Sequence, residues 1–168
     1  MKINERKEYS SKSEPLTFGK DSKVSDAVAS MSEYNYGAVV IVNDDNTIAG
    51  IVSERDIMKR LVNENKDASS TTVGDIMTTS VRSAHEDDLV VDWLRIMSNE
   101  RFRHLPIVDK DGKLINLMSQ GDFVSYTWPE LISDIKAKSY ESWGIAHQAI
   151  MLVVAMLAYA LLVQFFVN

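Results

Sequence analysis

The chain has 168 residues, 45% hydrophobic and 25% charged, with a net charge of −6 and no cysteine; that is room for one ordinary domain, or two small ones, plus one added element. The missing thiol excludes disulfides, thiolate metal sites and cysteine nucleophiles. An acidic balance without a cluster of Lys and Arg argues against a duplex nucleic-acid partner, whose counterions only a basic surface releases.

In chain order, residues 1–14 are polar and predict a flexible N-terminal segment. Beyond them the chain repeats. At an offset of 66, Val24 to Ile57 aligns without a gap on Val90 to Phe123, with nine of 34 pairs identical, among them Val24/Val90, Met31/Met97, Ile41/Ile107, Ser53/Ser119 and Asp56/Asp122. The body is therefore a duplicated unit, repeat 1 over 15–62 and repeat 2 over 72–128, joined by the polar linker 63–71.

Within each copy the apolar period changes. Val24, Ala27, Val28 and Met31, like Val90, Val91, Leu94 and Met97, follow helical spacing, with Asp21 and Asp87 placed to cap. Two short apolar runs around a polar turn follow, 37–42 then 48–52 and 104–108 then 114–118, which predicts a strand, a hairpin and a strand. A second helix is expected from Asp56 and from Asp122. Thr72 and Asp75 have the spacing of an approximate capping box that opens repeat 2. Neither copy can bury a core alone, so the two are expected to pack face to face, giving an α/β fold with a pseudo-twofold axis. The acidic run Glu86-Asp87-Asp88 reads as a cluster at a helix N-terminus.

The C-terminal part differs in kind. PELISDIKAK, within 129–143, predicts an amphipathic juxtamembrane helix. The 24 residues 144–167, GIAHQAIMLVVAMLAYALLVQFFV, hold no Asp, Glu, Lys or Arg and as a helix would extend about 36 Å, enough to cross a hydrocarbon core of about 30 Å. A single transmembrane helix is expected, with Tyr140 and Trp143 in the headgroup zone. Lys136 and Lys138 precede the span and only Asn168 follows it. The protein thus reads as tail-anchored, with its body in the cytoplasm.

The junction Gly50-Ile51-Val52-Ser53-Glu54-Arg55-Asp56-Ile57 matches the G-h-x-[ST]-x-x-D-h signature of cystathionine-β-synthase (CBS) domains, Arg103 to Asp109 resembles their second-strand motif, and Asp75-Ile76-Met77-Thr78 resembles the usual opening of such a repeat. The resemblance covers about residues 15–128 and implies a disc-like tandem pair that binds an adenosine-containing ligand (AMP, ADP, ATP, NAD or S-adenosylmethionine, with or without Mg) and pairs into a homodimer.

The resemblance gives Asp56 and Asp122 the ribose diol, with Ser53 and Ser119 beside them. A carboxylate at a helix start accepts such hydroxyls through charge-assisted bonds of about 1.5 to 3 kcal/mol each. It also implies that basic residues on one copy's second strand reach the ligand phosphate held by the other copy. The cleft of Ser53 and Asp56 then receives Arg103 and His104. The cleft of Ser119 and Asp122 receives only Tyr36 and Gly37 and has Asn116 where the motif has Gly. The first is the better nucleotide site, and the second is expected to be empty or to hold an uncharged adenosine. Thr17 and Ser83, equivalent at the offset, are expected near the base or sugar.

No catalytic triad, metal-ligand spacing or phosphate-cradling Gly-rich loop accompanies the three histidines, so the chain reads as a non-catalytic regulator acting on a membrane protein subunit. The alternative is a structural or assembly subunit of a membrane complex, without a ligand.

Overall fold

The protein is described from a computed structural model over residues 1–124. Its elements are α1 (Lys7–Ser11), β1 (Thr17–Phe18), α2 (Val24–Tyr34), β2 (Ala38–Val42), β3 (Ile48–Ser53), α3 (Glu54–Ile57, continuing as a π-helical turn over Met58–Val62), α4 (Val73–Ile76), β4 (Ala84–His85), α5 (Val90–Glu100), β5 (His104–Val108) and β6 (Leu114–Ser119), with residues 120–124 helical. Both ends of α2, β2 and β3 recur 66 residues later in α5, β5 and β6, as Val24 becomes Val90 and Ser53 becomes Ser119. The duplication is thus structural as well as sequential.

Each copy builds a three-stranded sheet, β1-β2-β3 and β4-β5-β6, in which the first pair is parallel and the second antiparallel. Even the local irregularities repeat, at Ile41/Val42 and at Ile107/Val108. The hairpin turns each need one positive φ, supplied by Asn46 (65°) and Gly112 (79°), conformations that Asn and Gly adopt at low cost. α2 and α5 both end on a left-handed residue, Asn35 and Arg101, whose N–H closes on the carbonyl of Met31 or Met97.

The expected Asp caps do not form. Lys23 and Leu89 hold the N-cap positions. Asp87 instead accepts from the Lys2 ammonium and the Asn4 amide, and Asp88 from the His85 N–H and the Trp93 indole. Thr72 and Asp75 do make their capping box, at 2.9 and 2.7 Å.

Three apolar clusters carry the packing. Val24, Met31, Val39, Ile41 and Val52 fill the first copy, Val90, Met97, Leu105, Ile107, Met118 and Phe123 fill the second, and Ala38, Val40, Leu114 and Leu117 lie where the sheets meet. Hydrogen bonds between Asn46 and Leu114 run in both directions across that junction at 3.0 Å, so the copies pack face to face.

Residues 1–14 are not the flexible segment that their polarity predicts. Ile3 is fully buried in the second copy's core, with its N–H on the Asp88 carbonyl at 3.0 Å. The symmetry supplies the reason. α1 starts at Lys7 and α4 at Val73, again 66 apart, so each is the lead-in of its copy, and each docks on the other copy's core: Val73 and Ile76 on the first, Ile3 and Tyr9 on the second. A single Ile among polar residues carries too little periodicity to reveal this.

The juxtamembrane helix expected over 129–143 and the span expected over 144–167 lie outside the described residues. Among the described residues no helix is long and apolar enough to cross a membrane.

Candidate functional site

At the end of β3 the strand turns straight into α3, and the turn is held by one carboxylate. Asp56 Oδ2 accepts the Ser53 N–H at 2.9 Å and the Ser53 hydroxyl at 2.6 Å, while Oδ1 accepts the Thr78 hydroxyl at 2.9 Å and lies 3.7 Å from the Arg60 guanidinium. The π-helical turn carries Arg60, which also donates to the carbonyls of Ile76 and Met77. Asp56 is thus the N3 partner of Ser53 in the capping box that opens α3 and the point where the second copy's lead-in is fastened to the first. Ile51 and Thr78 exchange both backbone hydrogen bonds, at 3.0 and 2.9 Å, which fixes Thr78 above this carboxylate.

Opposite stand residues of the second copy. A cleft of about 270 Å³ is lined by Ile51, Ser53, Glu54, Arg55, Asp56 and Thr78 on one side and by Glu100, Arg101, Phe102, Arg103 and His104 on the other. The structure therefore brings together the four residues Ser53, Asp56, Arg103 and His104. Arg82 holds Glu100 with two hydrogen bonds, at 2.8 and 3.0 Å, and Arg55 donates to the Arg101 carbonyl at 2.8 Å. Neither Arg101 nor Arg103 uses its guanidinium in a hydrogen bond or ion pair with the described residues. Two arginines without such a partner, lining the cleft together with a capped carboxylate, offer charges that can hold an anion attached to a polyol. Backbone donors at this turn are already engaged, the Ser53 N–H with Asp56 and the Glu54 N–H with the Gly37 carbonyl at 3.2 Å.

The second cleft, of about 360 Å³, is lined by Lys12, Ser13, Pro15, Leu16, Asn35, Tyr36, Gly37, Ala38, His104, Leu117, Ser119 and Asp122. Asp122 repeats the motif, its Oδ2 accepting the Ser119 N–H at 2.6 Å and the Ser119 hydroxyl at 2.8 Å. The expectation of a cleft without a basic residue is corrected by Lys12, which ion-pairs with Asp122. Burial works to raise the Asp122 carboxyl, but the Lys12 ammonium and the Ser119 donors outweigh it and hold the group below the usual range. Lys12 was missed because it lies in the segment read as flexible.

The departure at Asn116 also has a structural cause. In the first copy a Cβ on Gly50 would sit 2.5 Å from the Met77 sulfur, so the motif needs glycine there. The residue equivalent to Met77 is Ser11, which leaves room for a side chain at 116. Asn116 uses that room, donating to the Tyr9 carbonyl at 3.1 Å and so tying α1 to β6.

Thr17 and Ser83 do not take the expected places. Both are exposed, Thr17 on the edge strand β1 and Ser83 ahead of β4, and neither lines a cleft. Neighbouring side chains on an extended chain point to opposite sides, and Leu16 is the one that faces the second cleft.

His104 belongs to both clefts. It fits because Gly37 has no side chain: a Cβ there would lie 3.0 Å from His104 Nε2. Burial holds the imidazole below its ordinary 6.5, against the pull of Glu54 and with help from Lys12 and Arg103. Below pH 6.5 the unfolded chain therefore takes up a proton that the folded one resists, and folding stability drops as the pH is lowered. Denaturant unfolding between about pH 7.5 and 5 is expected to show a flatter profile for His104→Gln than for the natural protein; parallel profiles would place the proton elsewhere.

Comparison with known proteins agrees with this geometry. The family model for the CBS domain matches residues 7–63 and 73–128, two stretches that begin at the equivalent positions Lys7 and Val73. A 17.7 kDa protein of Acidianus ambivalens is 39% identical over 99 residues, which cover 59% of this chain and 58% of that protein. The chain thus matches less than two thirds of this curated relative. A CBS-domain protein from Burkholderia ambifaria is 36% identical with a TM-score of 0.67, covering 74% of this chain and 90% of that one. A further solved structure, CBSX2 in complex with AMP, is 25% identical with a TM-score of 0.60, covering 68% of this chain and 89% of that one.

Proposed function

The chain belongs to the CBS-domain family, and on that premise we propose that it is a non-catalytic regulatory module whose first cleft binds an adenosine nucleotide. The reading is carried by the arrangement in that cleft, where Ser53 and Asp56 face the uncommitted guanidinium groups of Arg101 and Arg103. The AMP complex of a protein of this family supports it. In this reading the ribose diol shares the Asp56 carboxylate with Thr78, the arginines take the phosphate, and the number of cations suits a mono- or diphosphate.

The apolar run 144–167 is long enough to serve as a membrane anchor, and in this reading the repeats lie on the cytoplasmic side and regulate a membrane protein. Pairing of two such modules into a dimer follows from family likeness. Ligand binding then acts by favouring one arrangement of the two copies, a coupling of about 1 to 3 kcal/mol.

One observation favours a second reading, an assembly subunit without a ligand. The Asp56 and Asp122 carboxylates already have partners inside the fold. Calorimetric titration of the full chain with AMP, ADP, ATP, NAD, S-adenosylmethionine and adenosine separates the two. Binding is expected for AMP, with about 2.7 kcal/mol of added stability at 100 times the dissociation constant. Arg103→Ala is expected to weaken AMP at least about tenfold, the worth of one charge-assisted bond, and to leave adenosine unchanged. A folded protein that binds none of these compounds supports the assembly subunit.

A further inference from the structure

We propose that Lys12 is a built-in occupant of the second cleft, so that a ligand enters there only by displacing the N-terminal lead-in; this inference rests on the ligand reading given above. It starts from the symmetry. Lys12 stands 66 residues before Thr78, and the two deliver their polar groups to equivalent carboxylates, though not to the same oxygen: the Thr78 hydroxyl to Asp56 Oδ1, opposite the Ser53 donors, and the Lys12 ammonium to Asp122 Oδ2, beside the Ser119 donors. Each copy's lead-in therefore closes the other copy's carboxylate, but with different chemistry. A hydroxyl is a single neutral donor that can share a carboxylate with a ribose hydroxyl. An ammonium in a part-buried ion pair puts a full positive charge on the oxygen that already serves Ser119, and a neutral diol must compete with that charge.

Displacement would have a readable consequence, because among the described residues Lys12 is one of few polar side-chain ties on this lead-in. The others are the Tyr9 hydroxyl on Glu86 at 2.9 Å and the Asn116 amide on the Tyr9 carbonyl, beside the packing of the Tyr9 ring on the second core. α1 is also docked at some cost: among the described residues, neither buried carboxylate oxygen of Glu8 nor the Arg6 Nε has a hydrogen-bond partner. Ile3, sunk in the second core, anchors the far end. The segment from Arg6 to Lys12 is thus poised to lift from the cleft edge while its N-terminus stays attached. Occupancy of the second cleft becomes a change in the surface around α1, distinct from any effect of the first cleft.

The test uses the full chain and calorimetric titration with adenosine, whose neutral ribose diol depends on Asp122 alone. The natural protein is expected to bind one equivalent, at the first cleft. Lys12→Met, which keeps the aliphatic stem and removes the charge, is expected to bind a second equivalent, or to bind adenosine at the second cleft at least ten times more tightly. Lys12→Gln serves as the second variant should the first fold poorly. The chain contains no cysteine, so a fluorophore on Lys7→Cys reports α1 alone, and its anisotropy is expected to fall in Lys12→Met without ligand and, in the natural protein, only where excess adenosine forces a second equivalent in. Unchanged stoichiometry, affinity and anisotropy in both Lys12 variants, with the first site intact, would overturn the latch and leave the ligand reading standing. Two equivalents of equal affinity bound by the natural protein, with the anisotropy at position 7 unchanged, would overturn it as well. If the natural protein and both variants bind no adenosine compound, the ligand reading fails and the latch fails with it.

Discussion

Asp56→Ala is expected to remove AMP binding from the first cleft and to destabilise the fold by about 1 to 3 kcal/mol, the range for a lost helix cap whose buried partners stay unpaired. Three donors lose their acceptor: the Ser53 N–H, the Ser53 hydroxyl and the Thr78 hydroxyl. Arg60 loses its carboxylate neighbour as well. A companion variant separates the two roles of this residue. The amide oxygen of Asn can still accept the Ser53 N–H and hydroxyl from this N3 position of the capping box, so Asp56→Asn is expected to keep most of the stability. Its neutral amide is a weaker acceptor for a ribose diol, and AMP affinity should still drop about tenfold or more. If Asp56→Asn retains both stability and affinity, the carboxylate is only a cap.

The second large effect lies in a segment that shows no sign of importance in sequence. Ile3→Ala should destabilise the protein by about 2 to 5 kcal/mol, the cost of emptying a buried Ile site that relaxes only in part. Ile3 has no exposed surface and packs with Ala84, Val90, Met97, Leu105, Ile107, Met118 and Phe123. Backbone bonds from Ile3 to Asp88, from Asn4 to Glu86 and from Val90 to Met1, at 2.9 to 3.2 Å, hold it in register. Against a total stability of about 5 to 15 kcal/mol, denaturant unfolding would show such a loss plainly. A midpoint that moves by less than about 0.5 kcal/mol would mean that residues 1–14 contribute nothing to the fold.

The duplicated core was legible because its signals are local and occur twice. Helical spacing from Val24 to Met31, the Asn43 to Asn46 turn and the Ser53 to Asp56 junction each recur at the same offset, and duplication turns a weak pattern into a strong one. The cross-paired first cleft was legible for the same reason, through Ser53, Asp56, Arg103 and His104. What escaped has a common physical source: it depends on residues brought from the other copy. Asp87 sits where a cap or a helix N-terminal cluster belongs, yet Lys2 and Asn4 claim it. Asn116 reads as a damaged motif until Ser11 and Tyr9 are seen beside it. Lys12 reads as a solvated charge until α1 is docked. Arg101, a left-handed helix terminator, offers no pattern that separates it from any surface arginine. Thr17 and Ser83 failed for a local reason, since one residue's shift along an extended chain reverses the direction of a side chain.

The central claim is that the two clefts are unequal and that the first is the nucleotide site. A crystal structure of the full chain grown with AMP tests it most directly. The account predicts AMP between Ser53 and Asp56 on one side and Arg101 and Arg103 on the other, with Lys12 still paired to Asp122 in the second cleft. AMP seated against Ser119 and Asp122 with the first cleft vacant would contradict it.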